Sequence, residues 1–397
     1  MTTSSPRRLG RARHWALAGT AAIAAASLAA CGSSSDNGSD TAGSDSSGSA
    51  NTGSGSSALA SEVAALDKPL DAYPVPTDPI KNVASLAGRT IYYIPITLQA
   101  PQFASTQKEI TLAAKAAGLK VQVCDGKGTP TDINACVAQA TSAKAAAIVS
   151  DAIPYGLAAN SFDAAQKAHI PVVINSQIVD SSHPQSATLA YVGENAGSDQ
   201  QSALAKWTIV DSKGKADILI NQNTDGPSQP VFVAAGKKVF SDECPDCKVT
   251  INEVSSANFS LVPSSTSAAL LKDPNVNYVQ SQFEQFLQPT QAGIQAASKT
   301  GVKVITGAAE LSSLKALQGG QIQAAAGQAT SYQAWADIDA ALRMMLGSQA
   351  PDYTIPVRLF TKDSVADLKV TDAALASGEW FGPTTFTDDF KKLWGLA

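Results

Sequence analysis

The residues best placed to do chemistry are few. Cys244-Pro245-Asp246-Cys247 has the C-x-x-C spacing of a thiol oxidoreductase, where the first cysteine, at a helix amino terminus, becomes a reactive thiolate. Here the pair follows the apparent end of a helix and precedes the strand-like Val249 to Val254. That order favours a structural bridge over redox catalysis, and a four-cysteine zinc site is less favoured still. Glu284 and Glu310 offer two carboxylates, but hydrolysis by such a pair requires a defined separation that spacing along the chain does not supply. Histidine occurs only at 14, 169 and 183, which argues against a histidine-rich metal centre. The folded portion has no phosphate-binding G-x-x-x-x-G-K, no G-x-S-x-G nucleophile elbow and no H-E-x-x-H. The expectation is a protein that is not an enzyme and carries no cofactor or metal.

The positioning of any site begins with where the chain goes. Arg7, Arg8, Arg11 and Arg13 precede an apolar run from Trp15 to Ala26, and Leu28-Ala29-Ala30-Cys31 closes it. This is the pattern of an export signal, too short for a membrane span of about 20 residues. Leu28 to Cys31 resembles a bacterial lipobox, which implies diacylglycerol on the Cys31 thiol and cleavage before it; the alternative is an ordinary signal peptide that happens to contain a cysteine. Pro6-Arg7-Arg8-Leu9-Gly10 matches twin-arginine export only loosely, so the route stays open. Removing residues 1–30 takes four of 29 basic residues and none of 34 acidic ones, leaving a net charge of −9. An acidic surface disfavours nucleic acid. Residues 31–57 are Ser, Gly, Asp, Asn and Thr with little to bury, a flexible tether, and 58–85, with Pro69, Pro74, Pro76 and Pro79, read as an extended lead-in along the body.

With Cys31 assigned to lipid, Cys124, Cys136, Cys244 and Cys247 remain, an even number in an oxidising compartment. Three pairings are open. Closeness in sequence favours Cys124 with Cys136 and Cys244 with Cys247.

At 397 residues the chain suggests two compact domains of roughly 150 residues each. From Thr90 it alternates short apolar runs with longer amphipathic ones, the grammar of β-α-β units around a parallel sheet. Strands are predicted at Thr90 to Ile96, Leu119 to Cys124, Ala145 to Ser150 and Pro171 to Ile174, with helices between them. Phe103, Gln107, Ile110, Ala114 and Ala117 mark one helix, capped by Gly118, and Ile133, Val137 and Ala140 mark another, opened by Thr131 or Asp132. The pattern restarts after Tyr191-Val192-Gly193, with strands at Ala216 to Ile220, Val249 to Val254, Val276 to Gln280, Val302 to Ile305 and Ile322 to Ala326. A late helix carries Trp335, Ile338, Leu342 and Met345 on one stripe, read as core, and Gly347 can end it.

Export, two successive doubly wound sheets, and Ile322-Gln323-Ala324-Ala325-Ala326-Gly327-Gln328 before a long helix together resemble the type 1 solute-binding proteins of bacterial ABC importers, ribose-binding-like sugar receptors in particular. Tyr191-Val192-Gly193-Glu194-Asn195 looks like the family's Y-V-G-x-[DN] segment, which opens the second lobe. The resemblance spans about Leu86 to Ala397. It implies an α/β fold of two Rossmann-like lobes joined by three hinge crossings, one lobe built from 86–182 plus 329–352 and the other from 183–328 plus 353–397. It also implies a monomer that closes on a solute and presents it to a membrane permease.

In such sheets ligands sit beyond the carboxyl ends of the strands. A sugar needs Asp, Asn, Gln, Glu or Arg for paired hydrogen bonds and aromatic rings for its C–H face. In the first lobe Thr97, Gln99 and Phe103 follow the first strand, Asp151 the third, with Tyr155 nearby, and Asn175 and Gln177 the fourth. In the second, Asn223, Asp225, Gln229, Phe259, Phe283, Glu284 and Glu310 follow strands, and Gln328 falls where the resemblance implies a ligand-contacting hinge glutamine. Each is equally a loop residue that could cap a helix or meet water. Ribose-type receptors commonly place arginines near two of these positions, where this chain has Ala152 and Gln229. The ligand expected is a small neutral sugar or polyol rather than a phosphate or carboxylate, although Glu284 and Glu310 would permit an amine. A ligand-sensing surface lipoprotein and an exported thiol oxidoreductase using Cys244 and Cys247 are the alternatives.

Overall fold

The computed structural model describes residues 52–396, so the signal segment, Cys31 and most of the expected tether lie outside the described residues. The described residues open with α1 (Thr52–Leu66). The extended lead-in expected from residue 58 therefore begins as a helix. Leu59, Val63 and Leu66 recur at helical spacing and pack beside Trp207 in the core of the second lobe, and that burial outweighs the polar composition just before them.

The first lobe is built from β1 (Thr90–Pro95), α2 (Pro101–Ala116), β2 (Lys120–Val123), α3 (Pro130–Ser142), β3 (Ile148–Asp151), α4 (Ala159–Lys167), β4 (Val172–Asn175) and β5 (Leu189–Val192). Its sheet runs β2-β1-β3-β4-β5 with every pair parallel. Alternation divides the strands between two faces: Tyr92 and Ile94 join Ile133, Val137 and Phe162, while Ile91 and Tyr93 join Ile110 and Ala114. α3 opens two residues earlier than expected, because the Thr129 hydroxyl accepts the Asp132 N–H and Pro130 takes the first helical position.

The second lobe follows as α5 (Ala196–Ser212), β6 (Asp217–Asn223), α6 (Ser228–Glu243), β7 (Lys248–Val254), α7 (Val262–Lys272), β8 (Tyr278–Ser281), α8 (Leu287–Ala296), β9 (Lys303–Thr306), α9 (Leu311–Gln318) and β10 (Ala324–Gln328). α10 (Thr330–Met345) returns to the first lobe and packs on α2. β11 (Val357–Thr361), α11 (Lys362–Ala366), α12 (Asp372–Ser377) and α13 (Phe386–Leu393) complete the chain. The second sheet runs β11-β10-β9-β8-β6-β7, parallel except that β11 lies antiparallel on β10.

Two expected lobe boundaries move. β5, with Tyr191 and Val192, hydrogen-bonds to β4 and is the edge of the first sheet, so residues 183–192 belong to the first lobe. The crossing comes at Gly193, whose φ of 71° is left-handed; a Cβ there would come within 2.9 Å of Ile355 and 3.0 Å of Gln333 Nε2. The carboxyl end does not stay with the second lobe. Phe386, Phe390 and Trp394 pack around Tyr332 and Trp335 of α10, because that helix presents an aromatic stripe that the last segment covers together with Tyr73 of the lead-in, which stacks on Tyr332 at 4.9 Å.

Residues 67–80 run between the lobes. Arg358 donates to Asp67 O at 2.8 Å and to Trp380 O, Tyr332 OH donates to Pro74 O at 2.6 Å, and Ile80 N donates to Leu393 O at 2.8 Å. At the centre is Asp339, fully buried on α10. Its Oδ2 accepts from Arg343 Nε at 2.8 Å and Tyr353 OH at 2.6 Å, and its Oδ1 from Trp394 Nε1 at 2.7 Å. Disulfides join Cys124 to Cys136 and Cys244 to Cys247. Cys244 is the carboxyl cap of α6, buried in the second lobe's core, which is not the helix amino terminus that activates a redox cysteine.

Removing one partner from a buried charge network costs about 3–5 kcal/mol. Asp339→Ala should lose that much stability in urea denaturation followed by tryptophan fluorescence. A loss below about 1 kcal/mol, the scale of an exposed pair, would show that the node is not what fastens the chain ends.

Candidate functional site

The two sheets point their carboxyl edges at one another, and a cavity of about 590 Å³ lies between them. That is within the range of small-ligand sites, about 300–1,000 Å³. From the first lobe it is lined by Thr97, Gln99 and Phe103 beyond β1, Asp151 at the end of β3 and Asn175 and Gln177 at β4. The second lobe contributes Asn223, Asp225 and Gln229 beyond β6, Phe283 beyond β8, Glu310 beyond β9 and Gln328 at the end of β10.

Three expected residues are elsewhere. Glu284 is not on the wall; it lies behind Glu310, near enough for its charge to act on that carboxyl, because the turn after Phe283 directs it toward α9. Phe259 is 44% exposed and packs on Phe286 outside the cavity. Tyr155 is buried in the first lobe's own core away from the cavity, stacked on His183 at 4.0 Å with its hydroxyl donating to Asp163.

The wall is held rigidly. Ala152, Ser176 and Ala308, one after each of β3, β4 and β9, have φ of 57°, 56° and 52° and all line the cavity. Non-glycine residues in this left-handed region store strain that tends to gather at functional sites. A relay of amides crosses the hinge. Gln200 Nε2 of α5 donates to Gln328 Oε1 at 2.8 Å, Gln328 Nε2 donates to Ser176 Oγ at 3.3 Å and to Gln333 Oε1, and Gln333 Nε2 donates to Ser176 Oγ at 3.0 Å. The Ala308 N–H closes it on Gln200 Oε1 at 2.7 Å. At the lips the lobes meet: Ser228 Oγ donates to Gln177 Oε1 at 2.7 Å, and a Cβ on Gly226 would stand 3.3 Å from Pro154. This is a closed arrangement.

Gln200, Ser176 and Gln333 escaped the sequence reading. Two of them are helical residues with no strand-end signal, and Ser176 was passed over beside Asn175. Tyr93 and Asp337 were missed for the same reason: each reads as core.

The carboxyls of the site are unusual in charge. Asp151 is 4% exposed, and burial pushes it up to about 7 although Tyr93 OH donates to its Oδ2 at 2.6 Å. Behind it Asp337 is raised well above the ordinary range by burial, despite accepting from Asn175 Nδ2 at 2.8 Å. In the second lobe burial and the neighbouring Glu284 push Glu310 up to about 8, and burial raises Glu284 to about 7. For Asp225 burial raises the pKa, but hydrogen bonds from Ser255, Ser256 and Asn223 overcome it and hold the group below the usual carboxylate range. Lys127 is the basic residue on the wall among those described, and its exposed ammonium is paired with Asp132 at 3.1 Å. Among the described residues no group of three His, Cys, Asp or Glu is arranged to hold a metal. The site is a lining of oxygen acceptors and amides with Phe103, Phe232 and Phe283, suited to holding a hydroxyl-rich solute on both of its faces.

Residues 91–349 match the model of the periplasmic binding protein domain. This chain belongs to that family. No curated protein sequence matches it. Among solved structures, the periplasmic binding protein described here is similar to a glucose-galactose binding protein from Geobacillus stearothermophilus, with a TM-score of 0.63 and 17% identity over 71% of this chain and 99% of that one. An ABC transporter solute-binding protein from Agrobacterium vitis with bound α-D-tagatopyranose gives 0.62 at 18% identity, covering 71% and 97%. A Mycobacterium smegmatis protein in complex with β-D-fucofuranose gives 0.62 at 16%, covering 73% and 97%. The family's two α/β lobes, with parallel-dominated sheets, are those of the type 1 periplasmic binding proteins.

A carboxyl raised by folding stabilises the protein fully below its unfolded pKa, and that stability is lost as pH rises through the folded value. For Glu310 the window runs from the ordinary glutamate range to about 8. Thermal melts of ligand-free protein should therefore show Glu310→Gln gaining on the wild type as pH rises from 5 to 9. Parallel curves across that range would contradict the buried, raised carboxyl.

Proposed function

We propose that the protein is the extracytoplasmic receptor of an ABC importer, anchored to the membrane by lipid on Cys31. It captures a small sugar or polyol, not an anion, between its lobes, and presents the closed complex to the permease as a monomer. The observation that carries this reading is the enclosed cavity between opposed strand ends, lined on both sides by amides, carboxyls and phenylalanines. A solute touching both lobes stabilises the closed form by the difference between its affinities for the closed and open states. The solved relatives with bound tagatopyranose and fucofuranose support the choice of solute class. Nothing in the proposed role requires chemistry on the ligand. The residues proposed to hold it are Thr97, Gln99, Phe103, Asp151, Asn175, Asn223, Gln229, Phe283, Glu310 and Gln328. Glu284 acts through Glu310.

Protein lacking residues 1–51, which keeps α1 whole, should gain thermal stability with at least one member of a sugar and polyol panel, by about 2.7 kcal/mol at a hundredfold excess over Kd. No shift from any member would remove the proposed solute class. Gln328→Ala should weaken the best binder about tenfold, or about 1.4 kcal/mol, by calorimetry. Unchanged affinity would take Gln328 out of the site. Cys31→Ser should move the protein from the membrane fraction to the soluble one. Continued membrane retention would argue for an anchor other than lipid at that residue.

A further inference from the structure

The two ends of the cavity differ. At the first-lobe end Asp151 spends Oδ2 on Tyr93, which leaves Oδ1 for the cavity, and Asn175, 1% exposed, holds its amide nitrogen on Asp337. At the second-lobe end Glu310, 8% exposed, turns its carboxyl to the same space with only a capping contact to Ser313. Glu284 stands behind Glu310, and Phe283 forms the neighbouring wall. No basic side chain among the described residues reaches Glu310: Lys127 is on the other lobe, exposed and paired with Asp132.

A buried carboxylate without a cation is costly, and the cost falls when a positive group is brought to it. A carboxylate beside an aromatic face is the environment that recognises an ammonium, which the ring quadrupole also attracts. Neutral hydroxyls would leave two neighbouring acids at this end with no compensating charge. Burial already holds both of these acids above the ordinary range, the response expected of carboxyls that lack a counter-ion in the ligand-free protein.

We propose that the solute carries a protonated amine, seated at the second-lobe end of the cavity against Glu310 and the face of Phe283, with its hydroxyls directed toward Asp151 and Asn175 in the first lobe. This rests on the two-lobed receptor reading above and narrows the solute to an amino sugar or amino polyol. Glu310 is then the residue that selects on charge, with Glu284 reinforcing it.

The test pairs each amine with its hydroxyl parent on the protein lacking residues 1–51, which keeps α1 whole: D-glucosamine with D-glucose, D-galactosamine with D-galactose, D-mannosamine with D-mannose, and D-glucamine with sorbitol, by calorimetry at pH 7.5. A charge-assisted hydrogen bond contributes about 1.5–3 kcal/mol, so in at least one pair the amine should bind about ten- to a hundredfold more tightly than its parent. Glu310→Gln should bring that ratio close to one, because a neutral amide offers no opposite charge to distinguish an ammonium from a hydroxyl. If that variant does not fold, the wild-type ratio alone decides. Parents binding as tightly as their amines, or a ratio that survives Glu310→Gln, would overturn the amine assignment and leave the sugar receptor standing. Absence of binding by both members of every pair would overturn the two together.

Discussion

The carboxylate of Asp339 is the constraint on which the rest of the molecule depends. A charge with no exposure must be matched from within, and its three donors come from the same helix, from the crossing before β11 and from the carboxyl terminus. Arg343 carries the connection further by donating to Asp78 O in the lead-in. One side chain thus orders three stretches of chain around α10. That helix also supplies Gln333 to the hinge relay and Asp337 behind the cavity floor, so the precision of the site is inherited from packing well away from it.

Around the cavity the protein sets rigid backbone against unsettled charge. Left-handed turns at Ala152, Ser176 and Ala308 aim the residues beside them, and the glutamine relay spans both lobes without a formal charge. Asp151, Asp337 and Glu310 are buried with few donors, whereas Asp225 is well supplied with them. Amides can exchange one partner for another at little electrostatic cost, which suits a hinge; buried acids respond steeply to whatever enters, which suits recognition.

Most of the architecture can be read from the order of residues. The nine strands expected from periodicity form with ends within three residues of where it puts them, since apolar runs buried on both faces leave a clear signal, whereas β5 and β11 were not read as strands. Asp151 and Asn175 are visible for the same reason, as polar residues directly after such runs, and Asn223 and Glu310 as polar residues a few positions further on; Gln328 is visible through the family resemblance. Gln200 and Gln333 give no such signal, being polar positions on helices whose orientation depends on tertiary packing. Glu284 was misplaced because one turn of helix decides whether a side chain faces the gap or its neighbour. The edge strand β5 was assigned to the wrong lobe because Tyr191-Val192-Gly193 was taken to open the second lobe, whereas it pairs with the strand just before it, and the last segment because the α10 aromatics, distant in sequence, claim it.

The lead-in and the carboxyl terminus lie side by side, with Ile80 bonded to Leu393, residues separated by nearly the whole body. A nascent chain has therefore emitted almost all of its length before the first lobe can finish its core. Contacts this remote slow folding, because loop closure must be met before they contribute. Until Trp394 docks, Asp339, Trp335 and Tyr332 lack their final cover, so the lobe that begins first in the chain is the one completed last.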